Sequence, residues 1–186
     1  ENLWKEVKSG NVGEVWKYWV PWYNLHKTYA GLRDAWLYGN NEEAKAMFIK
    51  LSDWGANLIA ALSDEQMESM LANEFGGMNE VYADAYQITG DERYLTTAKR
   101  FSHKQVFDSV SKRVDNLDNM HANTQVPKAV GYQRVAELTH EQDYTTAADF
   151  FWETVSQNRS LSLGGNSRRE HFPSEQDFLS YMEERE

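Results

Sequence analysis

The sequence predicts an all-α fold made of repeated helical hairpins. Three observations carry this: an internal echo, apolar side chains at helical intervals in each copy, and polar turns that end one helix and start the next. The echo pairs Asp34-Ala35-Trp36-Leu37-Tyr38-Gly39-Asn40-Asn41-Glu42-Glu43-Ala44 with Asp84-Ala85-Tyr86-Gln87-Ile88-Thr89-Gly90-Asp91-Glu92-Arg93-Tyr94, and a third copy starts at Arg134-Val135-Ala136; the copies are spaced 50 residues apart. A repeat of that length is the signature of stacked supersecondary units, each burying its apolar face against its neighbours.

Each copy reads as a helix end, a short turn and a helix start. Gly39 and Gly90 suit a helix C-terminus, Asn41 or Asp91 can cap the next helix, and Glu42, Glu43 and Glu92 fall in its first turn, where the helix dipole favours negative charge. Trp22, Leu25, Tyr29, Leu32 and Trp36 recur near the spacing of three to four residues that makes one helix face. Tyr94, Leu95, Ala98 and Phe101 do the same, as do Tyr144, Ala147, Ala148, Phe151 and Val155. Helices are therefore expected near 22–38, 41–61, 64–72, 77–89, 91–101, 103–111, 127–138 and 142–157. Such hairpins either stack into an open solenoid or close into an α/α toroid, and the periodicity fits both.

Length and composition fit a globular domain: 186 residues, 41% hydrophobic and 26% charged. With 29 acidic against 19 basic side chains the net charge is −10, which argues against binding nucleic acid or an acidic membrane surface. No apolar run reaches the length of a membrane span. Seven Trp and ten Tyr supply flat faces for helix packing and for stacking on sugars. Cysteine is absent, which removes a thiol nucleophile and any cysteine-held metal.

Four polar segments interrupt the helical pattern. Trp22-Tyr23-Asn24-Leu25-His26-Lys27 opens the first long helix, and Asn73-Glu74-Phe75-Gly76-Gly77-Met78-Asn79-Glu80 opens the first helix of the next hairpin. Asn119-Met120-His121-Ala122-Asn123-Thr124-Gln125-Val126-Pro127-Lys128 precedes the third, with Pro127 expected in the first helical turn and Thr124 or Asn123 as its cap. After Ser160 comes Leu161-Ser162-Leu163-Gly164-Gly165-Asn166-Ser167-Arg168-Arg169-Glu170-His171-Phe172-Pro173, read as a short strand or extended arm near 160–172 entering a tight turn. Histidine, asparagine and glutamine both donate and accept hydrogen bonds, as a hydroxyl-rich ligand requires. In a ring of hairpins, equivalent helix starts would gather at one mouth and make a plausible sugar site.

Taken together and in order, these segments closely resemble the catalytic domain of the β-L-arabinofuranosidase glycoside hydrolases, families 127 and 146. The resemblance implies an (α/α)6 barrel, of which residues 1–186 would form a part truncated at the C-terminal and the N-terminal end. It also implies retaining hydrolysis of terminal β-L-arabinofuranosides of plant cell-wall glycans. In that family a cysteine thiolate is the nucleophile, beside a zinc ion held by a glutamate and cysteines. By motif position Glu170 matches the acid/base glutamate, and His26 and His121 match histidines that contact the sugar. Glu80 lies at a matching helix start, and Asn123 and Gln125 are assigned to the substrate by proximity. With no cysteine in the sequence, no residue is assigned as a metal ligand, and zinc is expected in the full-length protein. The expected partner is a carbohydrate, with self-association through uncovered hairpin faces. Competing readings are another α/α-barrel carbohydrate enzyme, such as an unsaturated glucuronyl hydrolase or a sugar epimerase, and a non-catalytic helical-repeat sugar-binding module.

Overall fold

The structure is a computed structural model that describes residues 2–174 and 182–183. The described residues are all-α, with repeated helical hairpins, and the chain divides into two compact units, Glu1–His103 and Lys104–Glu186. No helix among the described residues is long and apolar enough to cross a membrane.

The first unit holds α1 (Asn2–Lys8), a 3-10 turn at Val12–Lys17, α2 (Pro21–Leu37), α3 (Glu42–Ile59), α4 (Asp64–Leu71), α5 (Met78–Thr89) and α6 (Glu92–Arg100). Neither α1 nor the 3-10 turn is expected from the sequence. Both are short, and their anchoring is tertiary: Leu3, Val7, Val12 and Val15 are buried. The helix starts are set locally. Pro21 occupies the first position of α2, Asn41 caps α3 by accepting from the Ala44 amide, and Ser63 with Gln66 forms a reciprocal capping box on α4. Gly90 ends α5 at φ 73°, and Asp91 then caps α6.

Two buried tyrosines tie α3 to its neighbours. The Tyr29 hydroxyl on α2 donates to the Leu51 carbonyl at 2.6 Å, and the Tyr82 hydroxyl on α5 donates to the Ser52 carbonyl at 3.2 Å. Burial pushes both phenols up from their ordinary value. Gly55 makes this approach possible, since a Cβ there would lie 2.2 Å from the Tyr82 hydroxyl. Tyr82 stacks on Phe101, and Trp22 meets Phe101 and Trp4 edge-on. Of the stripe expected on α2, Trp22 and Tyr29 are buried, while Leu25, Leu32 and Trp36 are half-buried.

The second unit holds α7 (Lys104–Val110), α8 (Ala122–Thr139) and α9 (Gln142–Glu153), which runs on into a π-helical turn at Thr154–Asn158. The stripe Tyr144, Ala147, Ala148, Phe151 and Val155 is buried. α8 starts five residues before Pro127, because His121 rather than Thr124 or Asn123 is the cap. Pro127 therefore lies inside the helix and lacks the N–H that would meet the Asn123 carbonyl. Asn123 is exposed, so solvent can meet that carbonyl and the helix continues.

Beyond α9, residues 161–165 form a tight turn: the Leu161 amide donates to the Gly165 carbonyl and the Gly164 amide to the Leu161 carbonyl. Strand-like pairing on the arm is confined to Arg168 and His171, in two isolated antiparallel bridges, His121 with His171 and Arg168 with His171, with Arg169 and Glu170 turning between them.

Candidate functional site

The six site residues expected from the sequence fall into two groups, one in each unit. In the first, His26 stands in the second turn of α2 and Glu80 in the first turn of α5, with Nε2 of His26 3.7 Å from Oε2 of Glu80. That is ion-contact range, too long for a hydrogen bond. Among the described residues neither ring nitrogen of His26 makes a hydrogen bond, although both are buried. The Gly76-Gly77 backbone closes over the ring. A Cβ at Gly76 would stand 2.7 Å from Nδ1, and one at Gly77 would stand 2.8 Å from Nε2 and 2.9 Å from Glu80 Oε2. Gly76 is also at φ 58°, a conformation that glycine adopts without the Cβ penalty.

Arg33, two turns beyond His26 on the same helix, organises the carboxylates. Its Nη1 donates to Glu80 Oε1 at 3.0 Å and also to Asp84, and its Nε donates to Asp34 at 3.0 Å. Burial alone would raise the Glu80 carboxyl, but His26 and Arg33 outweigh it and hold Glu80 below its ordinary value. Glu80 is thus kept anionic beside an imidazole whose nitrogens are unsatisfied, an arrangement able to hold a hydroxyl or a water by both donation and acceptance.

In the second unit His121 is a cap and a partner at once. Its Nδ1 accepts from the Thr124 amide at 3.2 Å and lies 2.9 Å from the Thr124 hydroxyl. Accepting at Nδ1 places the proton of the neutral ring on Nε2. That nitrogen faces Glu170 Oε2 at 3.5 Å. The His171 ring meets the His121 ring edge-on, with centroids 5.2 Å apart.

Glu170 sits on a tight reversal in which the Arg168 amide donates to the His171 carbonyl at 2.8 Å and the His171 amide to the Arg168 carbonyl at 3.1 Å. The two central residues, Arg169 and Glu170, have φ of 49° and 64°. Primed hairpin turns demand that geometry and ordinarily place Asn or Gly there. Two charged residues in it hold backbone strain of a kind that gathers at functional sites.

Gln125 is buried, donating to the His121 carbonyl at 3.3 Å and accepting from Lys128 Nζ at 2.8 Å, while Asn123 is exposed in the first turn of α8. Two residues that organise the first group, Arg33 and Asp84, and the buried Arg159 near the second, which holds Asp115, Asp118 and the Pro173 carbonyl, are not among the residues expected from the sequence. For Arg33 and Asp84 a signal exists, since Arg33 follows His26 by seven residues and Asp84 follows Glu80 by four, each pair sharing a helix face. Arg159 has none, because Asp115 and Asp118 precede α8 and Pro173 follows α9.

The zinc ion that the resemblance implies finds no seat among the described residues. No three His, Cys, Asp or Glu side chains gather there in a metal-binding group, and the donor set lacks the thiolates that such a site would use.

None of the curated proteins compared with the chain matches it. A family model described as Beta-L-arabinofuranosidase, GH127 catalytic domain, matches residues 4–186. The match takes in all four polar segments and both residue groups, and the chain belongs to this glycoside hydrolase family.

Proposed function

We propose that the chain supplies the acid/base glutamate and part of the sugar pocket of a retaining β-L-arabinofuranosidase that acts on terminal arabinofuranosides of plant cell-wall glycans. The observation that carries this reading is the placement of Glu170, on a strained turn, solvent-accessible, with its carboxylate 3.5 Å from His121 Nε2. In the protonated form Glu170 gives its proton to the glycosidic oxygen as the enzyme nucleophile bonds the anomeric carbon and the glycosidic bond breaks, which leaves a free alcohol, a glycosyl-enzyme and the Glu170 carboxylate. That carboxylate then takes a proton from the water that attacks the anomeric carbon and displaces the nucleophile, and Glu170 returns to its protonated form. The Nε2–H of His121 faces the carboxylate and favours the orientation that the second step needs. In the second unit Asn123 and Gln125 are assigned to sugar hydroxyls, and in the first unit His26 and Glu80, held anionic by Arg33, are assigned to hydroxyl binding of their own.

The nucleophile and the zinc ion of the family need cysteine, so we place both in residues outside this sequence, and the part of the reaction that this chain performs is the transfer of the proton. The test is hydrolysis of p-nitrophenyl β-L-arabinofuranoside by the full-length protein, with and without a zinc chelator, following the product anomer by NMR. Release with retention, lost on chelation, supports the reading. A folded, zinc-loaded protein that leaves this substrate intact would contradict it.

A further inference from the structure

We propose that Arg159 is the positioning residue for the Glu170–His121 pair, a buried guanidinium that locks the loop before α8 to the arm after α9. This deepens the reading of Glu170 as the acid/base residue and rests on it. Arg159 follows the π-helical turn and is almost wholly buried. Its Nε and Nη2 donate to the two carboxylate oxygens of Asp115 at 2.8 and 2.9 Å, and Nη2 also donates to Asp118 at 2.6 Å. Its Nη1 donates to the Pro173 carbonyl at 2.7 Å, and the guanidinium lies over the Phe172 ring. Ser174 adds a hydrogen bond to the second Asp118 oxygen at 3.0 Å. One cation thus holds two loop carboxylates and the arm backbone, with the planar fork geometry that a lysine lacks.

The same two segments are joined further along by backbone. The Asn119 amide donates to the Phe172 carbonyl, the Phe172 amide to the Met120 carbonyl, and the Ala122 amide to the Glu170 carbonyl. Arg159 closes one end of this short ladder, and the Glu170 and His121 side chains face each other at the other end. The turn at the tip holds two non-glycine residues in the left-handed region, so it keeps that shape only while its ends are fixed. Releasing the Arg159 end lets the turn relax and moves the Glu170 carboxylate away from Nε2 of His121.

The test uses Arg159→Gln, Arg159→Lys and the milder Asp118→Asn, with two kinds of readout. In the full-length enzyme, Arg159→Gln is expected to lower kcat on the arabinofuranoside about 10- to 100-fold with a smaller change in KM. The limb of the pH profile that belongs to Glu170 is expected to move, and lysine to restore part of the rate. In the chain without substrate, hydrogen exchange at the Ala122 and Phe172 amides should quicken while that at Val81, in the other unit, stays as it was. Should Arg159→Gln fail to fold, Asp118→Asn gives the same readings at smaller amplitude. Unchanged exchange at both amides, or a lower rate fully explained by less folded protein with an unmoved pH profile, would overturn the proposal. If the unsubstituted enzyme hydrolyses no arabinofuranoside, the functional reading fails, while the exchange experiment still decides the role of Arg159.

Discussion

His26 and Glu80 lie 3.7 Å apart with 8% and 21% of their side chains exposed, whereas His121 and Glu170 lie 3.5 Å apart with 29% and 65% exposed. The first pair is set between two helices, covered by glycine backbone and held by the charge of Arg33. The second is set on a loop and a turn, held by main-chain hydrogen bonds and by a cap that uses the imidazole itself. Charge and close packing thus hold the first carboxylate in one protonation state, while backbone holds the second where it reaches solvent. Under the proposed roles, the first would bind the sugar as an anion and the second would exchange a proton.

The largest effect on stability is expected where charge carries the arrangement. Arg33→Met removes the cation that Glu80 and Asp84 share and should cost about 2 to 3 kcal/mol, less than the roughly 3 to 5 of a fully buried pair because Glu80 keeps some contact with solvent. Urea denaturation of the two proteins measures this, and a loss below about 0.5 kcal/mol, the range of ordinary surface changes, would show that the Arg33 charge does not hold this arrangement together.

The sign of its pH dependence also follows. The folded carboxyl of Glu80 lies below its ordinary 4.5, so its contribution is full above about pH 4.5 and fades as the pH falls through the folded value. Arg33→Met should therefore flatten the stability profile on the acid side of that point. An identical acid limb in the two proteins would show that Arg33 does not hold Glu80 anionic.

Glycine cover comes next in size. Gly76→Ala puts a methyl against His26 and forces alanine to a positive φ, at a cost of about 2 kcal/mol. Thermal unfolding reads the loss, and a neutral result would mean that the turn can lift off the imidazole.

The smallest effect on stability belongs to the second pair. His121→Ala removes the cap of α8 and should cost about 1 kcal/mol, whereas His121→Asn, which keeps a capping acceptor, should restore most of it. Equal losses in the two variants would mean that the cap contributes little and that the ring packing matters instead.

These contrasts also explain what the sequence could disclose. The hairpins were legible because spacing and caps are local: Asn41, Asp91 and Gly90 stand where the repeat places them and do what their chemistry suggests. The start of α8 was not, because histidine is an uncommon cap and Pro127 is the stronger local signal. His26 with Glu80 was legible only as two polar residues at helix starts, since the glycine cover and the Arg33 bridge join residues more than forty positions apart. Glu170 was visible through the motif that contains it, but the strained turn beneath it was not, because neither arginine nor glutamate signals a positive φ. Arg159 illustrates the limit most plainly, as its partners come from two loops with no sequence pattern to link them.

Glu170 is the residue on which the assigned chemistry depends, and the most direct measurement is the turnover of p-nitrophenyl β-L-arabinofuranoside by the full-length protein with Glu170→Gln, beside its unfolding midpoint. An acid/base role predicts a loss of about two or more decades in rate with stability within about 0.5 kcal/mol of the original, since the side chain is mostly exposed. A variant that keeps its rate would show that Glu170 is not the acid/base residue and move that role to another side chain.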